Sequence, residues 1–270
     1  TTISDAPRPI VQAKPERLTS RPGNPDGVLL IVEYHKIAKQ EARWDRSVER
    51  FKKDLERFRK LGFVPVTLGQ VLDRKMNLPP GASPVVFTFD DGHPSQFRFL
   101  PDGGIDPDCA IGIWREFSDK HPEFPIRATF YPLPPFAFGS EADEARKLSQ
   151  LEELGCEIGS HSYSHAHLNR ISDAKVSEEL GRSAEWIEAR GFSPDTIALP
   201  YGGSPKNRKL LEGYTWKGKR RSFRAALLVG AGPAPMPDSP KFDPMRLPRI
   251  QGIEGDYGIS YWLDKVEAGE

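Results

Sequence analysis

Short apolar runs that alternate with segments of helical period constrain this 270-residue chain most. Val28-Leu29-Leu30-Ile31-Val32 is apolar at every position, the pattern of a strand covered on both faces in a parallel sheet. A helix is predicted from about Asp45 to Leu61, because Val48, Phe51, Leu55 and Phe58 recur at steps of three or four. Gly62 suits the left-handed residue that would end it. Further strands are predicted at Val85–Phe89, Ala128–Tyr131, Glu157–Gly159, Thr196–Leu199, Ala225–Val229 and near Leu247–Ile250. Helices are predicted at Glu141–Leu154, from a cap at Ser172 to Gly191, and at about Tyr257–Val266. His93–Pro125 reads as a long connection. Such alternation predicts parallel β/α units, and six or more in one domain favour a closed barrel over an open sheet. In either architecture ligands gather at the carboxyl ends of the strands.

Composition narrows the function by exclusion. Lysine plus arginine and aspartate plus glutamate both number 38, so no net field favours nucleic acid or an anionic membrane. No apolar stretch approaches the length of a membrane span. Residues 1–27, with Pro7, Pro9, Pro15, Pro22 and Pro25, read as an extended arm or linker, and 28–270 as one domain. The first residues show no export signal and no methionine, which suggests a processed chain and leaves export open. Cys109 and Cys156 read as ordinary free thiols, although one disulfide fits an exported protein.

The chemistry-bearing residues stand at the ends of the apolar runs. Thr88-Phe89-Asp90-Asp91-Gly92 closes one of them with two adjacent carboxylates. Asp-Gly is also a common turn pair, but neighbouring strand residues point in different directions. One carboxylate can therefore hold a metal while the other faces the water beside it. His161-Ser162-Tyr163-Ser164-His165 closes another run, and a spacing of four brings two imidazoles together if the segment turns helically. His167 is a lesser candidate ligand. An exposed polar loop is the plainer reading of the histidines alone. Together, two histidines and one carboxylate leave coordination positions open for water and substrate. A bound metal would lower the pKa of water from about 15.7 towards about 7, with Asp90 placed to accept the proton.

These motifs give the chain a family resemblance. With Tyr34-His35-Lys36-Ile37, Gly62-Phe63-Val64-Pro65-Val66 and Leu199-Pro200-Tyr201-Gly202, it resembles the polysaccharide deacetylases with a NodB-homology domain, carbohydrate esterase family four. The resemblance runs from about residue 28 to the last strand. It implies an α/β fold, a single distorted (β/α) barrel with fewer than eight regular units. It implies removal of N-acetyl groups from peptidoglycan, chitin-like chains or poly-N-acetylglucosamine, outside the cell, in a periplasm or at the cell envelope. It matches Asp90 to the general base. It matches Asp91, His161 and His165 to the ligands of a divalent metal, zinc being the first expectation. Pro200 and Tyr201 match the substrate-binding motif, in which the Tyr201 backbone N–H stabilises the oxyanion.

Two positions depart from the family pattern. Ala198 stands where the family places an arginine that orients the aspartate, and Arg246-Leu247-Pro248-Arg249-Ile250 lacks the usual Leu-x-His. Arg246 or Arg249 is a candidate for the missing charge. His35, closing the first strand, is a candidate general acid, against the alternative of a structural histidine. Phe97, Phe99, Trp114 and Phe117 read as cover for the barrel rather than a sugar-stacking platform. Two rival functions stay open, a non-catalytic glycan-binding relative that keeps the metal site and an esterase or amidase of small acetylated substrates.

Overall fold

The computed structural model describes residues 27–230 and 232–269, so the arm expected over 1–27 lies outside the described residues apart from Gly27. It has an α/β fold built on a parallel sheet. The strands that matter are β1 (Val28–Tyr34), β2 (Phe63–Pro65), β3 (Ser83–Asp91), β4 (Ala128–Pro132), β5 (Glu157–Ile158), β6 (Thr196–Ala198), β7 (Ala225–Leu227), β8 (Ala234–Pro235) and β9 (Ile250–Gln251). β1 pairs in parallel with β3, which pairs with β2 and β4, and β4 pairs with β5. β6 pairs with β7, and β9 returns to β1 with Val32 opposite Ile250. Single parallel bridges, Ser160 to Ile197 and Leu227 to Leu247, join the two groups. The chain of pairings therefore runs β1–β3–β4–β5–β6–β7–β9 and back to β1, thin at two links. β8 lies antiparallel on β1.

Strand pleating sorts the core into two layers. Leu30, Val32 and Tyr34 of β1 and Val85, Phe87 and Phe89 of β3 share one apolar cluster with the helices. Leu29, Ile31 and Val86 share another with Tyr131, Ala198, Leu227 and Leu247. Because alternate residues take opposite faces, Glu33 follows Leu29 and Ile31 into this second layer, and Thr88 and Asp90 follow Val86. The layer is apolar along most of its length and becomes charged at the carboxyl ends of the strands.

Helices α1 (Val48–Lys60), α2 (Ala110–Lys120), α3 (Glu141–Glu153), α4 (Asp173–Glu188) and α5 (Ile259–Glu267) accompany the sheet. α1 begins where Ser47 accepts a hydrogen bond from the Arg50 N–H, and buries Phe51, Leu55 and Phe58. Each of those burials contributes about 2 kcal/mol. Gly62 follows with φ 78°, as expected at its end. α2 is a difference from expectation, since it lies inside the segment read as a long connection. Its Trp114 packs on Phe87 with ring centroids 4.5 Å apart, and Phe97 and Trp114 are fully buried, so these aromatics cover the sheet. Cys109 and Cys156 are free and buried. Among the described residues, no helix is long and apolar enough to cross a membrane.

Candidate active site

Asp90 and Asp91 end β3 on the rim where β1 and β4 also end, with Tyr34 opposite Phe89 and Asp90 opposite Tyr131. Asp90 is 1% exposed and Asp91 only half-buried. The pleat is not the whole reason they diverge. Asp91 adopts φ 69° and Gly92 φ 67°, so the strand turns off in a left-handed bend at the second carboxylate. A Cβ at Gly92 would stand 2.7 Å from Pro132 Cβ, so only glycine fits.

The two histidines meet, but not through a helical turn. Ser162 and His165 have φ of 59° and 56°, and the intervening loop folds back so that the imidazole centroids are 4.8 Å apart. Glu179 of α4 holds the loop by accepting from the Tyr163 and Ser164 N–H groups, at 3.1 and 2.8 Å, and from the Ser164 hydroxyl. His161 Nδ1 lies 2.7 Å from the carbonyl oxygen of Ala198 and donates to it. That bond fixes the tautomer and leaves the Nε2 lone pair facing the rim. His161 Nε2 and His165 Nε2 stand 3.4 and 3.7 Å from Asp91 Oδ1.

These atoms suit a metal. Asp91 Oδ1 and His161 Nε2 are both buried without a hydrogen-bond partner, a costly state that a cation would relieve. Tetrahedral bonds of about 2.0–2.1 Å place neighbouring ligand atoms roughly 3.3 Å apart, close to both separations. His167 is not in this group. It stacks instead on Tyr201, centroids 3.8 Å apart and rings 12° from parallel. Burial pushes His161 down, but Asp90 and Asp91 outweigh it and raise its pKa. Burial and the His161 charge lower that of His165.

Of the two arginines, Arg249 reaches Asp90. Its Nη1 and Nη2 donate to Asp90 Oδ1 and Oδ2 at 2.8 and 2.7 Å, and Nη1 also donates to Thr88 Oγ1. Its Nε donates to the Leu228 carbonyl, and the side chain is fully buried. Arg246 is exposed. Burial pushes Asp90 up, but the Arg249 charge leads a stronger opposing set and holds the carboxyl well below its usual range. Arginine meets carboxylate bidentately and cannot lose its proton, so Asp90 is both oriented and kept ionised.

His35 sits beside this pair at the end of β1, packed on Trp44 with centroids 4.7 Å apart. Its Nε2 is 3.8 Å from Glu33 Oε1, and Glu33 Oε1 lies 3.5 Å from Arg249 Nη2. Glu33 is the residue the sequence reading missed. Its signal was the alternation Leu29, Ile31, Glu33. A cavity of about 280 Å³ gathers Asp90, Asp91, His35, His161, His165 and Tyr201, with Trp44 on its wall. Trp44 and Tyr201 are exposed, at 36% and 57%. Pro200 is buried and does not line the cavity, but it opens the turn in which Tyr201 takes φ 56°.

Known proteins resemble this chain in sequence and in fold. A family model described as polysaccharide deacetylase matches residues 77–215. A peptidoglycan-N-acetylglucosamine deacetylase of Bacillus cereus is 25% identical over 132 residues, 48% of this chain and 40% of the relative's own length. Among solved structures, the Streptococcus pyogenes deacetylase PplD, in complex with acetate, matches with TM-score 0.63 and 16% identity over 84% of this chain and 92% of that one. A polysaccharide deacetylase from Bacillus cereus gives TM-score 0.64 and 18% identity, over 89% and 69% of the two chains. IcaB from Ammonifex degensii gives TM-score 0.60 and 18% identity, over 92% and 98%. At these identities the solved structures share the fold.

Proposed function

This chain belongs to the polysaccharide deacetylase family, and on that footing we propose that it is a metal-dependent hydrolase removing N-acetyl groups from a polysaccharide. The observation that carries the reading is the convergence of Asp91 Oδ1, His161 Nε2 and His165 Nε2 beside an ionised, arginine-held Asp90. Asp91, His161 and His165 are the residues to hold a divalent cation, zinc first among those that suit imidazole and carboxylate. When bound, such a cation supplies Lewis acidity toward water and the acetyl carbonyl.

The chain's own residues do the rest. Asp90 accepts the proton of the attacking water, and Arg249 keeps it ionised for that task. The Ala198 carbonyl and Glu179 hold the two histidines in place. Pro200 sets the turn that carries Tyr201, whose backbone N–H is assigned to the oxyanion and whose exposed ring faces the sugar. His35 protonates the departing amine. An acetylated glycan such as peptidoglycan, a chitin-like chain or poly-N-acetylglucosamine is the partner, and the place of action is outside the cell or at its envelope, where such polymers lie. A site that only bound glycan would gain nothing from a carboxylate oriented and kept ionised by a buried arginine, which favours catalysis.

Acetate release from a panel of these glycans tests the reading, measured with zinc, with chelator and with Asp90→Asn. Release that requires metal and is lost in Asp90→Asn is expected. Purified protein that takes up no metal, or acetate release indifferent to chelator, would refute it.

A further inference from the structure

Glu33 is buried at the top of β1 on the same face as Asp90, with its side chain fully covered. One oxygen, Oε2, accepts the Gly230 N–H at 3.2 Å. The other, Oε1, is buried with no hydrogen-bond partner. A lone carboxylate oxygen in that state is destabilising unless a donor visits it.

Two donors lie nearby. Arg249 Nη2 is 3.5 Å away but makes no hydrogen bond to Oε1; one of its two protons goes to Asp90 at 2.7 Å, while Nη1 and Nε serve Asp90, Thr88 and Leu228. The second is His35 Nε2 at 3.8 Å. The backbone around this histidine is clamped, since Gln96 Nε2 donates to the carbonyls of both His35 and Asp90, at 2.6 and 2.5 Å. His35 Nε2 therefore stands just outside hydrogen-bond distance, with its ring on Trp44. The charges point the same way. Asp90 and Glu33 are two acidic groups against the single guanidinium of Arg249, and the His35 ring nitrogen stands next nearest to Glu33. Burial raises the Glu33 carboxyl's pKa, with Arg249 opposing, which fits a carboxylate short of positive company. Glu33, His35 and Asp90 also lie close enough to hold a cation, but Arg249 already sets its positive charge against both carboxylates, bonded to Asp90 and 3.5 Å from Glu33.

We infer that Glu33 is the positioning residue for His35, holding one ring N–H of the imidazolium so that the other faces the leaving amine. The inference rests on the deacetylase reading. As the C–N bond breaks, its electron pair stays on the amine nitrogen, which takes the proton from the free ring nitrogen of His35. The imidazole is left neutral, its remaining N–H still on Glu33, which neither gains nor loses a proton in the step.

Amide and activated ester separate this role from a structural one, because an aryl acetate leaves without a proton. In zinc-loaded Glu33→Gln, kcat on an N-acetylglucosamine oligomer should fall about 100-fold with KM unchanged, the scale of a lost general acid. The rate on p-nitrophenyl acetate should stay within about twofold, and Glu33→Gln/His35→Gln should be no slower than His35→Gln alone. A low-field imidazole N–H proton resonance that disappears in His35→Gln should disappear in Glu33→Gln too. Glu33→Asp, which keeps the charge and withdraws it by one methylene, serves if Glu33→Gln folds poorly, and should show the same split between amide and ester. Equal losses on both substrates, an unchanged amide kcat, or losses that multiply in the double variant would overturn the inference. Wild type that cleaves the ester and no glycan amide would remove the deacetylase reading, and this role with it. Active wild type beside an indifferent Glu33 variant removes the positioning role alone.

Discussion

Replacing Arg249 by methionine removes one guanidinium and strands two carboxylates. Asp90 loses both charge-assisted bonds, at 2.8 and 2.7 Å, and Glu33 loses its neighbour at 3.5 Å. Breaking a buried pair by taking away one partner costs about 3–5 kcal/mol, because the remaining charge has no compensation. For a domain of this size that corresponds to a fall in Tm of about 10 °C. The pH dependence has a definite sign. The Asp90 carboxyl is held below its unfolded value, so its stabilisation is fully present above the ordinary carboxylate range and is lost only as pH falls below that range. Between pH 7 and 5 the wild type should therefore lose nothing through Asp90. Without Arg249, burial acts unopposed by its charge and raises the carboxyl, so the acid limb of acetate release should move to higher pH. Urea unfolding at pH 7, thermal melts and a pH profile of kcat/KM on one glycan oligomer measure all three effects. A melting change under about 2 °C together with an unmoved acid limb would show that the Arg249–Asp90 pair does not govern the aspartate.

Metal binding should appear as stability, since zinc at 100 times its Kd adds about 2.7 kcal/mol, and Asp91→Asn should abolish the rise in Tm. A melt of the wild type indifferent to zinc would count against the site. Glu179→Gln should weaken zinc binding about tenfold, by loosening the loop that presents His165, and calorimetry would reveal an unchanged Kd if the loop holds itself. Trp44→Ala removes an exposed ring from the cavity wall and should raise KM for a glycan oligomer several-fold while leaving p-nitrophenyl acetate little affected. A proportional loss on both substrates would assign Trp44 to supporting His35 instead of meeting sugar.

What the sequence made legible follows from how far each signal reaches. Strands and helices with strong apolar periodicity, such as β1, β3 and α1, stand where expected, because burial on a defined face dictates both pattern and structure. α2 escaped notice because its N-cap is Cys109, whose sulfur accepts from the Gly112 N–H, and glycine in the first turn weakens the helical signal. The spacing of His161 and His165 suggested a helical turn, but spacing carries no information on φ, and two left-handed residues achieve the approach instead. Arg249 and Arg246 were indistinguishable as candidates, since only the pairing of β9 with β1 decides which one points inward. Glu33 was passed over because a charge looked like the end of a strand, whereas the pleat carries it on to the layer that also holds Asp90.

On the proposed reading the two departures from the family pattern are one rearrangement in space. Ala198 lies on β6 and gives its carbonyl to His161, while its methyl packs in the apolar layer with Leu227 and Leu247. The guanidinium comes instead from the residue before β9, and β9 lies beside β1, with Val32 opposite Ile250 and Glu33 opposite Gln251. His35 ends that same β1. The charge that orients Asp90 and the imidazole proposed for the leaving amine thus arrive on neighbouring strands, while His161 and His165, the proposed metal ligands, follow β5. Parallel strands that end on one rim tolerate such an exchange, and here the guanidinium reaches Asp90 from the residue before β9. What the chemistry demands is a position on that rim, and a motif read along the chain records only one way of filling it.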